Sequence, residues 1–492
     1  MKYSIVASGL SLLGLCFALP VSAQESQPDT LALSLDRCIA IALSESPRVK
    51  VADMEVTRVD YAKKETIGQL LPTINFGGNY NRMIAKQVAY MNMDGFGSMM
   101  GGGDKPGGDT GESGDDTSSA SRASAGGASS GGGKNSGIKM GLDNSYQVGF
   151  NASLPLIAPQ LWASLKLSDS QILQNVEAAR ASRLSLVNQI KSAYYALLLA
   201  EDSHRVIKEN YDNAVFNHKI YEKKFQVGTA SEYDVLRSAV QVKNVEPELL
   251  QGEIAIKQAR LQLAILMGID ASHVVKATTA LADYEKDMYE HTLNLNTSSI
   301  EGNTDLRTLD LQTRSLRNAL TIQKMAWYPT LALSASYNWT SSSNGNPLRN
   351  FRWDPYSVIG LSLNFPIFQG GQRYFKIKQA RIQVEEMGWQ RENLERSIKM
   401  QVDLAVDNIQ KNVKQIASSS ESVAQAVKAH EIMEKSFEIG AASYLDLRDS
   451  ELALTRARLA YYQSIYNYLI ANSELELLLG NADLEKYSNL PE

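Results

Sequence analysis

The sequence predicts an α+β membrane protein with an internally duplicated protomer, built from long α-helical hairpins plus four antiparallel strands. Three observations predict this class: a motif that occurs twice, four segments that alternate apolar and polar residues, and two long proline-free stretches with helical periodicity. Eight identities at one spacing of 212 positions identify a duplicated unit. Glu222, Lys223, Phe225, Gly228, Ala230, Ser231, Asp234 and Ser238 recur as Glu434, Lys435, Phe437, Gly440, Ala442, Ser443, Asp446 and Ser450.

Two further landmarks place an insertion in the first copy. Pro72 recurs as Pro329 at a spacing of 257 positions, whereas Gly149 recurs as Gly360 at a spacing of 211. The difference of 46 residues matches a stretch near residues 92–137 that is almost all Gly, Ser, Ala, Asp and Met. Such a composition buries too little apolar surface to offset its ordering entropy. We therefore expect a flexible extracellular insert over about residues 88–142.

The N-terminus predicts export. Residues 1–23 combine the charged Lys2, a short apolar run and a small-residue cleavage site at Val21-Ser22-Ala23, which indicates a signal peptide and not a membrane anchor. After it, Cys38 is the single cysteine of the chain, so an internal disulfide is excluded. The formal net charge of −5 argues against nucleic acid as a partner.

Four segments alternate between apolar and small polar residues over about 9 to 11 residues, the length of a tilted transmembrane strand. They form two pairs, within residues 72–154 and 329–366. Because successive strand side chains point to opposite faces, each strand has one apolar and one polar face. A soluble sandwich is the alternative. The Asn, Ser, Thr and Gln of the polar face suit a water-filled lumen, and Tyr and Trp at strand ends suit the two membrane interfaces, so transmembrane strands are favoured.

Four strands cannot close a barrel, and an open sheet edge is not tolerated in lipid. If the strands are transmembrane, several protomers must therefore contribute to one barrel. Only these four strands are expected in the chain.

Two stretches predict long helical hairpins. Residues 155–268 and 367–480 keep helical spacing on either side of the repeated motif, which places one hairpin tip at about 225–234 and the other at about 437–449. The other expected segments are N-terminal helices at 24–71, an equatorial connector at 269–304, a helix at 305–328 and a C-terminal tail at 481–492.

The ordered motifs resemble those of the TolC family of outer-membrane channel proteins over nearly the whole chain after the signal peptide. No single motif is decisive, but the duplicated set is specific. It comprises Leu35 to Leu43 with Ser46-Pro47, Leu71-Pro72-Thr73, Phe365-Pro366-Ile367-Phe368 with Gly370-Gly371, Val227-Gly228-Thr229 and Ile439-Gly440-Ala441.

The resemblance implies a homotrimer in which a 12-strand β-barrel in the outer membrane is continuous with a periplasmic α-helical barrel. It further implies the exit duct of a tripartite efflux pump for drugs and toxic compounds, with a periplasmic adaptor (membrane fusion) protein and an energy-supplying inner-membrane transporter as partners. Type I protein secretion uses the same architecture and stays open. A periplasmic coiled-coil adaptor or scaffold is the alternative of another class, although no lipoyl-like or barrel domain is evident.

The resemblance places adaptor contacts and tunnel closure at the tips. The expected adaptor-contact residues are Phe225, Val227, Gly228, Thr229, Phe437, Ile439, Gly440 and Ala441.

Candidate gate and selectivity residues lie just beyond each tip. Asp446 and Asp449 are one helical turn apart, so in a three-fold tube they would form rings of carboxylates that favour cations. Asp234 is the first-copy counterpart of Asp446, and Arg237 that of Asp449; an Arg237–Asp449 latch is possible. The alternative is that Asp234 and Asp446 cap their helices. Unlike enterobacterial-type members, the chain has Ala442 and Phe437 in place of an Arg and a Tyr.

No cofactor, metal site or enzymatic activity is expected. The methionines around the insert could bind a soft metal such as Cu(I), but no Cys or His accompanies them, and a plain flexible loop is the favoured interpretation. The five histidines show no metal-ligand spacing, and no nucleophile–base pair is apparent.

Overall fold

The computed structural model describes residues 30–89, 138–270, 274–285, 300–344, 352–481 and 484–488. The expected signal peptide and residues 90–137 of the insert lie outside the described residues. The chain divides into two compact units. Of the described residues, a helical unit comprises those within Met1–Lys64, Lys166–Thr321 and Lys376–Glu492, and a sheet unit comprises those within Glu65–Leu165 and Ile322–Phe375.

The sheet unit is built on four antiparallel strands in the order β2-β5-β7-β8. These are β2 (Thr73–Arg82), β5 (Asn144–Ile157), β7 (Thr330–Ser343) and β8 (Asp354–Asn364). They lie where the alternation predicts strands. Within the described part of the chain, neither β2 nor β8 has a second hydrogen-bonded neighbour, so the sheet has two open edges.

The register places the residues of the four predicted apolar faces on one face of the sheet, while Tyr356 and Val358 at the start of β8 lie on the other face. Phe76 lies opposite Phe150, and Phe150 lies opposite Tyr337 on the other side. The Phe76 and Phe150 rings are 4.9 Å apart between centroids, a cross-strand contact that stabilises the pairing. Leu333 likewise lies between a leucine on β5 and Leu361 on β8. The predicted separation into an apolar and a polar face is therefore confirmed.

Two short strands continue the first strand pair into the insert. β3 (Gln87–Ala89) pairs antiparallel with β4 (Ile138–Met140). The predicted insert at about 88–142 therefore has strand residues near both of its ends, at Val88–Ala89 and Ile138–Met140. Each of these two strands has only three residues, which is too short for a period-2 pattern to be recognised in the sequence.

The helices are α1 (Leu35–Glu45), α2 (Pro47–Gly68), α3 (Pro159–Gln226), α4 (Glu232–Met267), α5 (Thr304–Met325), α6 (Gln372–Glu438), α7 (Tyr444–Leu479) and α8 (Leu484–Ser488). The repeat is visible in their bounds, because α4 and α7 begin and end at the same 212-residue spacing. Among the described helices, none has the length and apolarity to cross a membrane.

The expectation that the chain has only four strands is wrong. β1 (Thr30–Leu33) pairs in parallel with β6 (Val274–Ala277), inside the connector that the sequence suggested was irregular. The two strands are short, and each finds its partner more than two hundred residues away, so neither shows a local pattern. They cover a core in which Cys38 and Val275 are fully buried, and burial raises the pKa of the Cys38 thiol to about 12.

The four long helices of the helical unit lie side by side in the order α4, α3, α7, α6. α3 joins α4 through the ion pair Glu201–Arg260, at 2.7 Å. On its other side, α3 joins α7 through the Asn188–Ser473 hydrogen bond, at 2.6 Å. α7 in turn joins α6, where the Asn412 amide donates to a main-chain carbonyl of α7 at 3.1 Å. α3 and α7 are thus inner helices, while α4 and α6 are outer ones.

Candidate functional site at the hairpin tips

Each hairpin tip ends in the same glycine-dependent turn. Gly228 has φ +77°, a left-handed conformation that residues with a side chain rarely adopt. The Gly228 amide donates to the Phe225 carbonyl at 2.9 Å, and the Thr229 amide donates to the Lys224 carbonyl at 2.8 Å, which is a Schellman cap on α3. The second tip repeats these bonds with Gly440 to Phe437 and Ala441 to Ser436.

A capping box starts each returning helix. The Asp234 amide donates to the Ser231 hydroxyl at 3.2 Å, and the Ser231 amide donates back to the Asp234 carboxylate at 3.1 Å. Ser443 and Asp446 repeat the pair at 3.3 and 3.0 Å. The hydrogen bonds from the capping serines hold the pKa of both aspartates below its ordinary value. The capping alternative is thereby confirmed for both aspartates, while their role in a gate stays a prediction.

The other two candidate gate residues lie one turn further along. Asp449 is exposed on α7, and Arg237 is half-buried on α4. Among the described residues of one chain, no ion pair joins them, so the structure does not show the Arg237–Asp449 latch within a chain. A contact with a neighbouring copy stays a prediction.

The apolar residues expected to meet an adaptor are uncovered in the single chain. Val227 is 73% exposed and Ile439 is 81% exposed, at corresponding places in the two turns. Phe225 is also exposed, whereas its counterpart Phe437 is half-buried. The tips therefore present apolar side chains to whatever surrounds them.

Phe437 belongs to an aromatic cluster that connects the two tips. The Tyr221 ring of α3 lies 5.1 Å from the Tyr444 ring of α7 and 6.5 Å from the Phe437 ring of α6, between centroids. The Lys224 ammonium lies over Phe437 at 5.1 Å, within cation–π distance. Burial raises the pKa of both tyrosines. Sequence reasoning missed Tyr221, Lys224 and Tyr444, because none of them is repeated.

A half-buried carboxylate lies beside this cluster. Glu451 on α7 accepts a hydrogen bond from the Asn217 amide on α3 at 3.2 Å. Burial raises the pKa of Glu451. Both residues line a cleft of about 250 Å³ between α3, α6 and α7, together with His430 and Glu434.

A histidine–serine contact occurs at the same place in both hairpins. His218 Nδ1 lies 2.8 Å from the Ser238 hydroxyl, and His430 Nδ1 lies 3.1 Å from the Ser450 hydroxyl. Each serine hydroxyl also donates to its own helix, Ser238 to the Val235 carbonyl at 2.8 Å, so its oxygen accepts from the imidazole. Sequence reasoning regarded these histidines as scattered. Their spacing of 212 positions was the available signal.

The described residues contain no group of three or more His, Cys, Asp or Glu side chains that could hold a metal ion. The methionines of the insert between residues 90 and 137 lie outside the described part of the chain.

The protein class follows from two long hairpins, an open-edged sheet with one apolar face and paired tips. The family model described as outer membrane efflux protein matches residues 113–269 and 295–481. The chain belongs to this family, that of the TolC outer-membrane channels, which confirms the resemblance read from its motifs. It is accordingly an outer-membrane protein, and its relatives are efflux and secretion channels.

Two relatives and one solved structure illustrate the similarity. Outer membrane protein TolC of Vibrio cholerae is 22% identical over 340 residues, which cover 68% of this chain and 76% of that protein. The alkaline protease secretion protein AprF of Pseudomonas aeruginosa is 23% identical over 356 residues, covering 70% and 72%. The crystal structure of the CmeC outer membrane channel of Campylobacter jejuni matches with a TM-score of 0.67 at 16% identity, over 100% and 98% of the two chains. At that identity, the structural likeness shows the fold.

Proposed function

We propose that three copies of this chain form the outer-membrane exit duct of a tripartite efflux pump. Small molecules such as drugs and toxic compounds pass through it from periplasm to exterior. A periplasmic adaptor protein meets the hairpin tips, and an inner-membrane transporter supplies the energy. The strands form the membrane-embedded wall, and the helical unit extends into the periplasm.

The observation that carries the proposal is an apolar stripe on α4 that its own chain leaves exposed. The stripe residues are separated by three, four, seven or ten positions, which keeps them near one face of the helix as in a coiled-coil seam. Ile254, in its middle, is 66% exposed. Its other apolar members, all exposed, are Tyr233, Leu236, Val240, Leu250, Leu261 and Ile265.

In the second copy the corresponding positions are less exposed: Ser473 is buried, Leu445 is exposed and the other five positions are half-buried. α7 contacts α3 in this region, where the Arg205 guanidinium donates to the Tyr462 hydroxyl at 3.1 Å and Arg458 pairs with Glu209 at 2.6 Å. The repeat relates α3 to α6, and α6 has an uncovered face. A second copy can therefore offer its α6 to α4 as α3 is offered to α7. Repeating this contact around an axis closes a ring, and the family resemblance supports three copies.

The sheet supports the same arrangement. β2 and β8 are open edges, and each carries apolar residues on one face, such as Phe76 and Leu361, that are exposed in the single chain. In lipid an open edge leaves unpaired amide and carbonyl groups at a cost of several kcal/mol each. Pairing β8 with β2 of a neighbouring copy removes both edges and closes a barrel of 12 strands.

The tips provide the regulated end of the duct. The two turns expose Val227 and Ile439 for an adaptor, and Asp446 and Asp449 follow in α7. In three copies the second-copy aspartates would line the narrow end as rings that favour cations. Asp234 and Arg237 would occupy the corresponding first-copy positions.

Deleting the gene and measuring what the cells retain tests the proposal. We expect the deletion strain to accumulate a fluorescent efflux dye and to become more sensitive to toxic compounds, with recovery on expression of the chain. Unchanged dye retention and unchanged sensitivity would contradict a role in efflux.

Protein secretion is the second candidate, because one relative is an alkaline protease secretion protein. The same deletion strain distinguishes it. Loss of a secreted protein from the medium, without any change in dye retention, would assign the chain to secretion.

A further inference from the structure

A buried arginine at the start of α6 lacks a full set of partners. Arg373 is 9% exposed. Its Nε donates to the Gln369 side-chain oxygen at 3.0 Å, and its Nη1 donates to the Pro366 carbonyl at 2.9 Å. The guanidinium lies over the Trp327 ring at 5.4 Å from the centroid. Its Nη2 is buried and has no hydrogen-bond partner among the described residues.

The charge of Arg373 is also uncompensated. Within the described part of the chain, no carboxylate forms an ion pair with it, and the first turn of α6 contains no acidic residue. A helix N-terminus carries partial positive charge, so a cation there is unfavourable unless an anion is near. The sequence from Gln372 to Val384 has four cations and no acid, namely Arg373, Lys376, Lys378 and Arg381.

The surroundings of Arg373 combine this charge with exposed apolar side chains. Arg373 and Trp327 line a cleft of about 130 Å³ together with Ile367, Phe368 and Tyr374. Ile367 is 83% exposed and Phe368 is 85% exposed. They lie between the end of β8 at Asn364 and the start of α6 at Gln372. A buried cation, aromatic rings and exposed apolar residues at a strand end are the combination found at membrane interfaces.

We propose that this cleft binds the phosphate group of a membrane phospholipid in the periplasmic leaflet. Arg373 Nη2 donates to a phosphate oxygen, in the charge-assisted geometry that guanidinium groups favour. Ile367 and Phe368 contact the acyl chains. The leaflet assignment rests on the proposed function, in which the strands cross the outer membrane and the helices lie in the periplasm. A lipid at this place would fix the depth of the barrel in the bilayer.

The site occurs once in each chain, although the unit is duplicated. At the spacing that relates Pro155 to Pro366, the first-copy counterpart of Arg373 is Trp162. At the spacing that relates Pro72 to Pro329, the counterpart of Trp327 is Leu70. The first strand exit therefore offers apolar contact without a buried cation. A trimer would hold three phosphate sites and not six.

Native mass spectrometry of the purified, delipidated trimer tests the proposal, with phosphatidylglycerol as the probe. We expect up to three bound lipids per trimer, with affinity reduced at least about tenfold in Arg373→Gln. Trp327→Leu, which installs the first-copy residue, should weaken binding without removing the charge. Arg381→Gln removes an exposed cation of the same helix and is the matched control, which should bind as the unaltered chain does. Diacylglycerol, which lacks the phosphate, should not be retained.

The outcomes separate the alternatives. Retention of phosphatidylglycerol by Arg373→Gln at the unaltered affinity would overturn the site. Binding of inorganic phosphate with no retained lipid would assign the cleft to free phosphate and overturn the lipid proposal. If Arg373→Gln does not assemble, Arg373→Lys and Trp327→Leu decide, since unchanged lipid affinity in both overturns it. If trimers form but bind lipid equally well without Arg373, the result counts against this site alone. If the unaltered chain never forms trimers, the result counts against the proposed function.

Discussion

α4 and α7 are the corresponding helices of the two copies, and they differ in what covers them. Both have 36 residues, begin at a Ser–Asp capping box and end at a glycine with positive φ. Of the seven α7 positions that correspond to the α4 stripe, six are buried or half-buried and contacts to α3 occur among them, whereas all seven stripe residues of α4 are exposed in the chain. The local sequence determines where each helix begins and ends, whereas the surrounding helices determine which residues cover its apolar face. One contact inside the chain is therefore a template for a contact between chains.

The largest expected effect comes from charging the α4 stripe. Ile254→Asp would place a carboxylate in an apolar seam in every copy, and each lost side chain removes roughly 2 kcal/mol of burial. We expect the trimer to be lost, as measured by mass photometry in detergent. Ala255→Asp, one position off the stripe and also exposed, is the control. Trimers of Ile254→Asp as stable as the control would show that α4 faces no neighbour.

A second effect concerns the aromatic cluster of Tyr221, Phe437 and Tyr444. The repeat does not reproduce it, because the corresponding residues are Met433, Phe225 and Glu232. Tyr444→Ala removes ring contacts with Tyr221 and Phe437, each worth about 1 kcal/mol beyond burial. We expect a looser tip and larger single-channel conductance in planar bilayers. Glu232, which holds the position of Tyr444 in the first copy, is the control, and Glu232→Ala should leave conductance near the unaltered value. Equal conductance of both variants would remove the cluster from tip closure.

The gate prediction uses the position where the copies differ in charge. Asp449→Asn removes the carboxylate whose first-copy counterpart is Arg237, and it leaves both capping boxes intact. We expect reduced preference for cations, measured as a shift of the reversal potential in a salt gradient. An unchanged reversal potential would exclude Asp449 from the selectivity ring.

A smaller effect is expected from Glu451, whose first-copy counterpart is Ala239. Its pKa in the folded protein is raised by burial, so the stabilising contribution of the neutral form is complete below the usual value of 4.5 and is lost as pH rises through the raised pKa. Glu451→Gln keeps an acceptor for Asn217 without the charge. We expect a higher thermal midpoint than the unaltered chain at pH 7 and no gain at pH 4.

The pKa shift of Asp446 has the opposite sign to that of Glu451, so its effect on stability has the opposite pH dependence. Its pKa is lowered by the Ser443 bonds, so its contribution is present above the usual value of 3.8 and is lost as pH falls through the lowered pKa. Thermal midpoints of the unaltered chain and of Glu451→Gln, measured from pH 7 to pH 3, compare the two carboxylates. The contribution of Asp446 should be lost at the acid end of this range. A gain for Glu451→Gln that is equal at both pH values would contradict burial of the charged carboxylate.

The elements that sequence reasoning predicted are those with a long period or a repeat. Four strands and two hairpins each extend over enough residues for their periodicity to be read, and Gly228 with Asp234 marks a turn and a cap by residue type. β1 and β6 could not be predicted, because four residues carry no pattern and the pairing is decided by burial of residues such as Val275.

Within the site, the features that recur in both copies could be predicted from the sequence, whereas those present in one copy could not. The His218–Ser238 and His430–Ser450 contacts lie at the repeat spacing and were detectable in principle. Tyr221 and Arg373 have no counterpart of the same type, so only their packing shows what they do. The sites special to one copy are for this reason the ones that needed the structure.

A disulfide between copies tests most directly whether the α3–α7 contact is the template for assembly. Asn188 and Ser473 touch within the chain at 2.6 Å between side-chain atoms, and the repeat relates them to Met400 on α6 and Leu261 on α4, which are both exposed. Because short contacting side chains bring backbones within disulfide range, Asn188→Cys with Ser473→Cys should join within one chain. Met400→Cys with Leu261→Cys should instead produce covalent dimers and trimers on a non-reducing gel of outer membranes. Monomers alone from the Met400 and Leu261 pair would contradict the account.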